Sequence, residues 1–260
     1  MKYFSHAFSG LGLGLLTCIL SGTLILNVGC TNTSSNSATT SGVGNSAKDL
    51  LTATPYTSLV IEIQPVTGYT PTVGAQNALV TFLNNYLRKS GGITVHVDAP
   101  IASPGKTSYS LADVQAIEAA NRTLRSSGTQ AVAYFLFLDG ASTSDSGSSQ
   151  ILGQAYGATS LVIYQKTIQN LSGSIGQPSR QVLETTVMEH EFGHILGLVN
   201  VGTPLQSAHQ DSPHGAHCTN TSCLMFWQVD TSDFLGNLLG GTVPSLDANC
   251  IADLHANGGL

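Results

Sequence analysis

The most constraining feature of this chain is a segment that places two histidines and a glutamate within an otherwise apolar helical pattern. The segment reads His190-Glu191-Phe192-Gly193-His194. Positions four residues apart on a helix lie one turn apart on the same face, so the two imidazoles would lie side by side. Apolar residues recur around them at helical spacing, and they are Leu183, Val187, Met188, Phe192, Ile195 and Val199. This pattern predicts a helix buried on most sides, in which polar groups are costly unless a metal or another partner satisfies them.

The spacing of these polar groups predicts a zinc site. His190 and His194 would hold one Zn²⁺, and Glu191 would reach a zinc-bound water without ligating the metal itself. Zinc lowers the pKa of a bound water to about 7, and a neighbouring carboxylate can take its proton during attack on a carbonyl. The residues therefore favour metal-assisted peptide hydrolysis, with one catalytic zinc ion as cofactor, over a structural role for the motif.

The chain before this helix alternates between strand and helix patterns, which predicts an α/β sandwich. Strands are expected at 59–63, 93–97, 131–138, 151–156 and 160–165, and helices at 75–87 and 111–125. Ser110 and Asp113 have the spacing of a capping box at the start of the second helix, and Pro178-Ser179 opens the helix of the motif. Residues 198–224 look irregular, and a last helix is expected from Leu246 to Ala256 with Ser245 as its N-cap.

Composition limits the partners of the chain. Only 9% of its residues are charged, against about 25% in typical soluble domains. The net charge is −6, and lysine and arginine form no cluster anywhere in the sequence. Nucleic-acid binding is therefore not expected, and the Gly-, Ser-, Thr- and Asn-rich composition suits a secreted or surface-exposed protein.

The N-terminus is predicted to be a targeting segment. Residues 7–28 are almost entirely apolar or small, and Gly29-Cys30 is followed by a Ser/Thr/Asn-rich stretch. This arrangement resembles a bacterial lipoprotein signal, with residues 1–29 removed, Cys30 lipidated and residues 30–55 acting as a flexible tether. Thr17-Cys18 is a weaker site for the same chemistry. An ordinary cleaved signal and an uncleaved anchor remain as alternatives, because the apolar stretch is long enough to span a bilayer.

Two stretches, read together with the predicted strand order, resemble the metzincin clan of zinc peptidases. The first is His190-Glu191-x-x-His194-x-x-Gly197, and the second runs from His217-Cys218 through Cys223 to Met225. The second stretch is most similar to the archaemetzincin pattern, and Gly153-Gln154-Ala155 looks like the metzincin edge strand that holds extended substrate. The resemblance implies a mixed twisted sheet with backing helices, an active-site helix, a Met-turn at Met225 and a C-terminal helix. The peptidase domain would cover residues 56–260, with an upper part at 56–197 and a lower part at 198–260.

The third zinc ligand departs from the usual spacing of the family. The position three residues after Gly197 is occupied by Asn200, so we interpret the following residues as an insertion within the loop that returns to the metal. The likeness around Met225 ranks His217 first as the third ligand, His214 second and His209 third.

The chain has five cysteines, of which Cys18 and Cys30 belong to the targeting segment. Outside the cytoplasm, the short spacing of Cys218 and Cys223 predicts a disulfide. Cys250 is then either a buried free thiol or a member of a second metal site. The resemblance to archaemetzincins implies the second alternative, because those proteins carry a second, cysteine-bound zinc. The disulfide is the favoured interpretation for an exported protein.

These observations predict a zinc metalloendopeptidase of the cell envelope that acts on protein or peptide substrates and is attached to a membrane, on its periplasmic or surface face, through an N-terminal lipid. Two alternatives stay open. A non-catalytic surface binding lipoprotein would use its zinc for stability, in a site closed by a fourth protein ligand instead of one with an adjacent carboxylate. A zinc amidase acting on a non-protein substrate would share the same site.

Overall fold

The computed structural model describes residues 42–229 and 231–260, and its centre is a five-stranded sheet with the strand order β2-β1-β4-β7-β6. The strands of this sheet are β1 (Ser58–Pro65), β2 (Ile93–Val97), β4 (Gln130–Phe137), β6 (Gly153–Ala155) and β7 (Ser160–Ile163). All neighbours are parallel except β6, which runs antiparallel to β7 at the edge. A separate pair of short parallel strands is formed by β3 (Ser108–Tyr109) and β5 (Ala141–Ser142). The expected α/β class and mixed sheet are confirmed.

Helices cover both faces of the sheet. They are α1 (Ala47–Leu51), α2 (Val73–Tyr86), α3 (Leu111–Asn121), α4 (Gln165–Asn170), α5 (Arg180–Ile195) and α6 (Ala248–Ala256). The larger core joins α2, α5 and α6 to one sheet face, and a smaller core lies under α3 on the other face. β4 is buried on both faces because it lies in the middle of the sheet, which accounts for its nearly continuous apolar sequence.

The local signals at helix starts act as expected in α3 and α5. The Ser110 side chain accepts from the backbone N–H of Asp113, and the Asp113 carboxylate accepts from the backbone N–H of Ser110, so the predicted capping box is formed. Ser179 caps α5 by accepting from the backbone N–H of Val182. At the C-terminal helix the cap is Asp247 and not the expected Ser245, since the Asp247 carboxylate reaches the backbone N–H of Cys250.

The structure differs from the expected tether over residues 42–55. This segment forms α1, whose Leu50 and Leu51 are buried in the larger core. The Lys89 ammonium ties it down further by donating to the backbone carbonyls of Asp49, at 3.0 Å, and Tyr56, at 2.8 Å. The folded domain therefore begins earlier than residue 56. The predicted signal peptide, the lipidation site Cys30 and the first part of the tether lie outside the described residues.

No helix in the described ranges is both long enough and apolar enough to cross a membrane. Between α5 and α6 the chain is irregular, as expected, apart from two short 3-10 helices at Ser212–His214 and Ser232–Leu238.

Candidate metal centre

Helix α5 supplies the first three functional side chains. His190 and Glu191 are almost completely buried, and His194 is partly exposed one turn further on. The helix ends just after His194 because Gly197 adopts a left-handed φ of 73°, and its N–H returns to the His194 carbonyl at 2.9 Å. A Cβ at Gly197 would lie 2.6 Å from the backbone nitrogen of Thr203, so only glycine fits this turn.

The return loop brings His217 to the two histidines of α5. The Nε2 atoms of His190 and His194 are 3.1 Å apart, and the ring centroid of His217 lies 5.4 Å from His190 and 5.0 Å from His194. Each residue offers one ring nitrogen, and these nitrogens lie within 4.8 Å of one another. The three residues ranked first as zinc ligands therefore converge on one point.

Hydrogen bonds to backbone carbonyls orient two of these rings. His190 donates from Nδ1 to the carbonyl of Leu224 at 2.7 Å, and His217 donates from Nδ1 to the carbonyl of His214 at 2.7 Å. Because Nδ1 carries the proton, Nε2 of each ring presents a lone pair to the centre. Nε2 of His217 is buried and has no hydrogen-bond partner among the described residues.

The electrostatics of the cluster keep these rings neutral. Burial, followed by the proximity of His217, lowers the pKa of His190 to about 3. Burial and the two neighbouring imidazoles hold the pKa of His194 well below its usual value, and burial also lowers the pKa of His217. Two zinc ligands at about 2.1 Å in tetrahedral geometry are about 3.4 Å apart, a few tenths of an ångström more than the 3.1 Å between Nε2 of His190 and Nε2 of His194. The donor set fits a zinc ion.

Glu191 lies between the histidines and the edge strand of the sheet. Its Oε2 accepts the backbone N–H of Ala155 in β6 at 2.6 Å. A Cβ at Gly153 would lie 2.8 Å from Cγ of Glu191, so a glycine is needed for β6 to approach the helix this closely. The carboxylate is therefore held next to both the imidazole cluster and the open edge of β6, with which no other strand pairs in the described part of the chain.

Met225 packs beneath the cluster, at the position expected of a Met-turn. The side chain is fully buried, and its thioether contacts the helix at Gly193, where an added Cβ would overlap it. The Met225 carbonyl accepts the backbone N–H of Cys218 at 2.7 Å. This bond ties the segment that carries His217 to the turn below it.

The other residues considered as third ligand lie elsewhere. His214 stacks on Trp227, with ring centroids 4.2 Å apart, and its Nδ1 lies 2.7 Å from a carboxylate oxygen of Asp211. Asn200 takes a left-handed φ of 70°, and its side chain donates to Gln210 at 3.3 Å, so it does not reach the histidine cluster. His209 belongs to a second cluster.

This second cluster, which we call the cysteine cluster, consists of His209, Cys218, Cys223 and Cys250. All three cysteines are buried and free. Cys223 and Cys250 have their Sγ atoms 3.7 Å apart, and Nδ1 of His209 lies 3.5 Å from Sγ of Cys218 and 4.0 Å from Sγ of Cys250. The predicted Cys218–Cys223 disulfide is not formed: both cysteines are free, with His209 beside Cys218 and Cys250 beside Cys223.

The surroundings of the cysteine cluster favour a thiolate at Cys223 and one tautomer of the His209 imidazole. Hydrogen bonds from Cys218 and Cys250, then from the backbone of Asp247 and Met225, lower the pKa of Cys223 to about 4. His209 donates from Nε2 to the fully buried carboxylate of Asp253 at 2.8 Å, which leaves Nδ1 facing the sulfurs.

Asp247 also lies near the cluster, and its carboxylate groups geometrically with His209, Cys218 and Cys250. Its oxygens are already engaged, however, by the backbone N–H of Cys250 at 2.9 Å and by the Asn220 side chain at 3.1 Å. Its Oδ2 also lies 3.3 Å from Sγ of Cys218. We prefer Cys223 as the fourth donor because structural zinc sites are commonly formed by three cysteines and one histidine.

Comparisons with known proteins bear on the fold. No family model matches the sequence, and no curated protein does. Among solved structures, the crystal structure of archaemetzincin from Methanopyrus kandleri is similar, with a TM-score of 0.50 and 16% sequence identity. The match covers 77% of this chain and 96% of that one. The expected archaemetzincin-like fold is confirmed.

Proposed function

We propose that the protein is a zinc-dependent metalloendopeptidase. The observation that carries this proposal is the convergence of three neutral imidazoles, His190, His194 and His217, beside the Glu191 carboxylate. Three histidines supply the ligands of a catalytic site that keeps one position open for water or substrate, whereas a structural site has four protein ligands. Within the described residues no fourth side chain belongs to this histidine cluster.

The residues around the cluster fit peptide hydrolysis. Zinc, when bound, supplies a Lewis acid that activates water and polarises the scissile carbonyl. The Glu191 carboxylate takes the proton of the attacking water and delivers it to the leaving amine. The open edge of β6 can accept an extended peptide as an added strand, which would align the scissile bond with Glu191.

Replacing Glu191 by alanine tests the chemistry. The variant Glu191→Ala should bind zinc and fold as the wild type does, but its peptide hydrolysis should fall by about 10²–10⁴-fold because only the proton carrier is removed. The measurement is turnover of a diverse peptide library together with metal analysis, and Asp233→Asn is the control for loss of one negative charge elsewhere. Wild-type turnover in Glu191→Ala would refute the mechanism. A zinc-loaded wild type that cleaves no peptide would favour the binding lipoprotein, and cleavage confined to non-peptide amides would favour the amidase.

We further propose that the cysteine cluster holds a second, structural zinc ion, in place of the disulfide expected from the sequence. Zinc–sulfur bonds of about 2.3 Å in tetrahedral geometry put sulfurs about 3.8 Å apart, whereas a disulfide needs about 2.05 Å. The 3.7 Å between Sγ of Cys223 and Sγ of Cys250 is close to the separation of two thiolates that share one zinc ion, and it is too long for a disulfide between these two residues. Three cysteines and one histidine close the site, and Asp253 behind His209 supplies the carboxylate partner usual for a metal-bound histidine.

Metal stoichiometry tests the second ion. The wild type should contain two zinc ions per chain, and Cys250→Ser and His209→Ala should each contain one. Asp253→Asn should weaken binding of this ion about 10–100-fold in a chelator competition, because it removes the group that orients His209. His214→Ala, which changes a histidine outside both clusters, is the control. One ion in the wild type and in all variants, with a Cys218–Cys223 disulfide found by mass spectrometry, would refute the site.

We also propose that the protein is attached to the cell envelope through a lipid on Cys30. The support is the apolar stretch at 7–28 followed by Gly29-Cys30 and a polar segment. Labelling cells with a fatty-acid analogue should tag the wild type and Cys18→Ala but not Cys30→Ala. Equal labelling of the wild type and Cys30→Ala would refute this attachment.

A further inference from the structure

A cleft of about 380 Å³ lies on the far side of α5 from Glu191. It is bounded by α2, by α5 and by the segment that precedes α6. Its lining residues are Ala78, Thr81, Phe82, Asn85 and Tyr86 of α2, Thr185 and Glu189 of α5, and Val243, Pro244 and Ser245. Successive residues of a helix are about 100° apart around its axis, so Glu189 and Glu191 face nearly opposite directions. The cleft is therefore separate from the histidine cluster.

Glu189 is the only charged side chain that lines this cleft within the described residues. It is 6% exposed, and no hydrogen bond or ion pair joins its carboxylate to another described residue. Thr185 lies one turn before it on the same face of α5 and also lines the cleft. A carboxylate at this degree of burial is costly to ionise without a compensating partner, so a cationic ligand in the cavity would stabilise its charged form.

The rest of the lining favours a cationic ligand with an apolar part. Phe82 and Tyr86 form an edge-to-face pair on α2, with ring centroids 5.1 Å apart. Aromatic faces attract cations as well as apolar groups. The hydroxyl groups of Thr185 and Ser245 add hydrogen-bond acceptors, and no lysine or arginine among the described residues lines the cleft to compete for Glu189.

We propose that this cleft binds a primary ammonium group carried on a short apolar arm. The ammonium pairs with the Glu189 carboxylate, and the arm packs against Phe82 and Tyr86. The volume is at the low end of the range for small-molecule sites, about 300–1,000 Å³, which suits a single aliphatic amine. Both a free alkylamine and the lysine side chain of a bound polypeptide present this chemistry. The proposal does not depend on peptidase activity.

Binding of pentylammonium to the zinc-loaded protein tests the proposal. Titration calorimetry is run near pH 8.5, where an alkylamine with a pKa of about 10.4 stays protonated. Pentylammonium should bind. Pentanol and pentanoate should bind at least roughly tenfold more weakly, because they lack the positive charge that pairs with Glu189. Glu189→Gln should lose roughly tenfold or more of the affinity, whereas Asp233→Asn, outside the cleft, should bind as the wild type does.

Three results would overturn the proposal: no binding of pentylammonium by the wild type, equal binding by Glu189→Gln, or equal binding of pentanol. If Glu189→Gln does not fold, Thr81→Trp carries the test, since it fills the cleft from an exposed position and should abolish binding. Unchanged binding by that variant would then overturn the proposal.

A further titration with N-acetyl-lysine methylamide separates the two sources of the ammonium group, a free alkylamine and a lysine side chain. Tighter binding than pentylammonium assigns a lysine side chain, and weaker binding assigns a free amine.

Discussion

The contact between Gly193 and Met225 allows the packing beneath the histidine cluster to be tested quantitatively. A Cβ at Gly193 would overlap the thioether of Met225 and would also meet Leu198 at 3.5 Å. Met225 is fully buried and cannot move aside freely. Overpacking of this kind costs about 1–3 kcal/mol, whereas alanine gains about 1 kcal/mol over glycine inside a helix. Gly193→Ala should therefore change the free energy of unfolding by between about 0 and 2 kcal/mol, in the destabilising direction.

The two contributions separate in a double-mutant cycle. Met225→Ala removes the atoms that the new methyl group would meet, so Gly193→Ala in that background should stabilise the protein by about 1 kcal/mol through helix propensity alone. The coupling between the two changes should equal the cost of the overlap, about 1–3 kcal/mol.

Urea denaturation of the four proteins, at one fixed zinc concentration, measures this coupling. Gly236→Ala is the matched control, because a Cβ there meets nothing within 4 Å and should show no coupling to Met225. If Gly193→Ala has the same effect with and without Met225, the methionine does not limit the space at Gly193, and the proposed packing beneath the cluster is refuted.

Two further predictions concern metal binding and pH. His217→Ala should lose the catalytic zinc on dialysis while His214→Ala keeps it, as metal analysis would establish. The reverse result would show that His214, and not His217, is the third zinc ligand. Hydrogen bonds from Lys106 and Ser110 lower the pKa of Asp113 to about 2, so the stability it contributes is present above its usual pKa of 3.8 and is lost as pH falls toward about 2. The stability difference between wild type and Asp113→Asn should therefore shrink across that pH range in urea titrations, and a difference independent of pH would contradict the assignment.

The predictable parts of the fold are those encoded by short-range patterns. The apolar spacing around His190 predicts α5, and the serine and aspartate at 110 and 113 predict the start of α3, because both depend on helix periodicity and local hydrogen bonds. The position of His217 was available only from its likeness to a family pattern, since nothing local distinguishes it from His214. Its role as a zinc ligand stays a prediction.

The parts that sequence reasoning missed depend on contacts between distant segments. α1 is short and follows a Ser-, Thr- and Asn-rich stretch that is typical of a flexible tether. Its two buried leucines are too few to predict a helix from the sequence. The cysteine cluster joins His209 to Cys250 and Asp253, which arrive from α6 more than 40 positions later. Nothing in the spacing of Cys218 and Cys223 reveals that histidine, and the spacing alone favoured a disulfide.

His217 and Cys218 are adjacent in the chain and belong to different clusters. The number of residues in this segment therefore fixes which cluster each side chain reaches. The segment is nearly extended and bonded on both sides, with Asp211 donating to the His217 carbonyl at 2.7 Å and Cys218 donating to the Met225 carbonyl at 2.7 Å. Since side chains alternate along such a segment, inserting or deleting one residue here would turn the imidazole toward the sulfurs and the thiol toward the imidazoles. A change of length at this point would therefore disrupt both clusters together, whereas residues 198–208 supply no side chain to either cluster and impose no such limit.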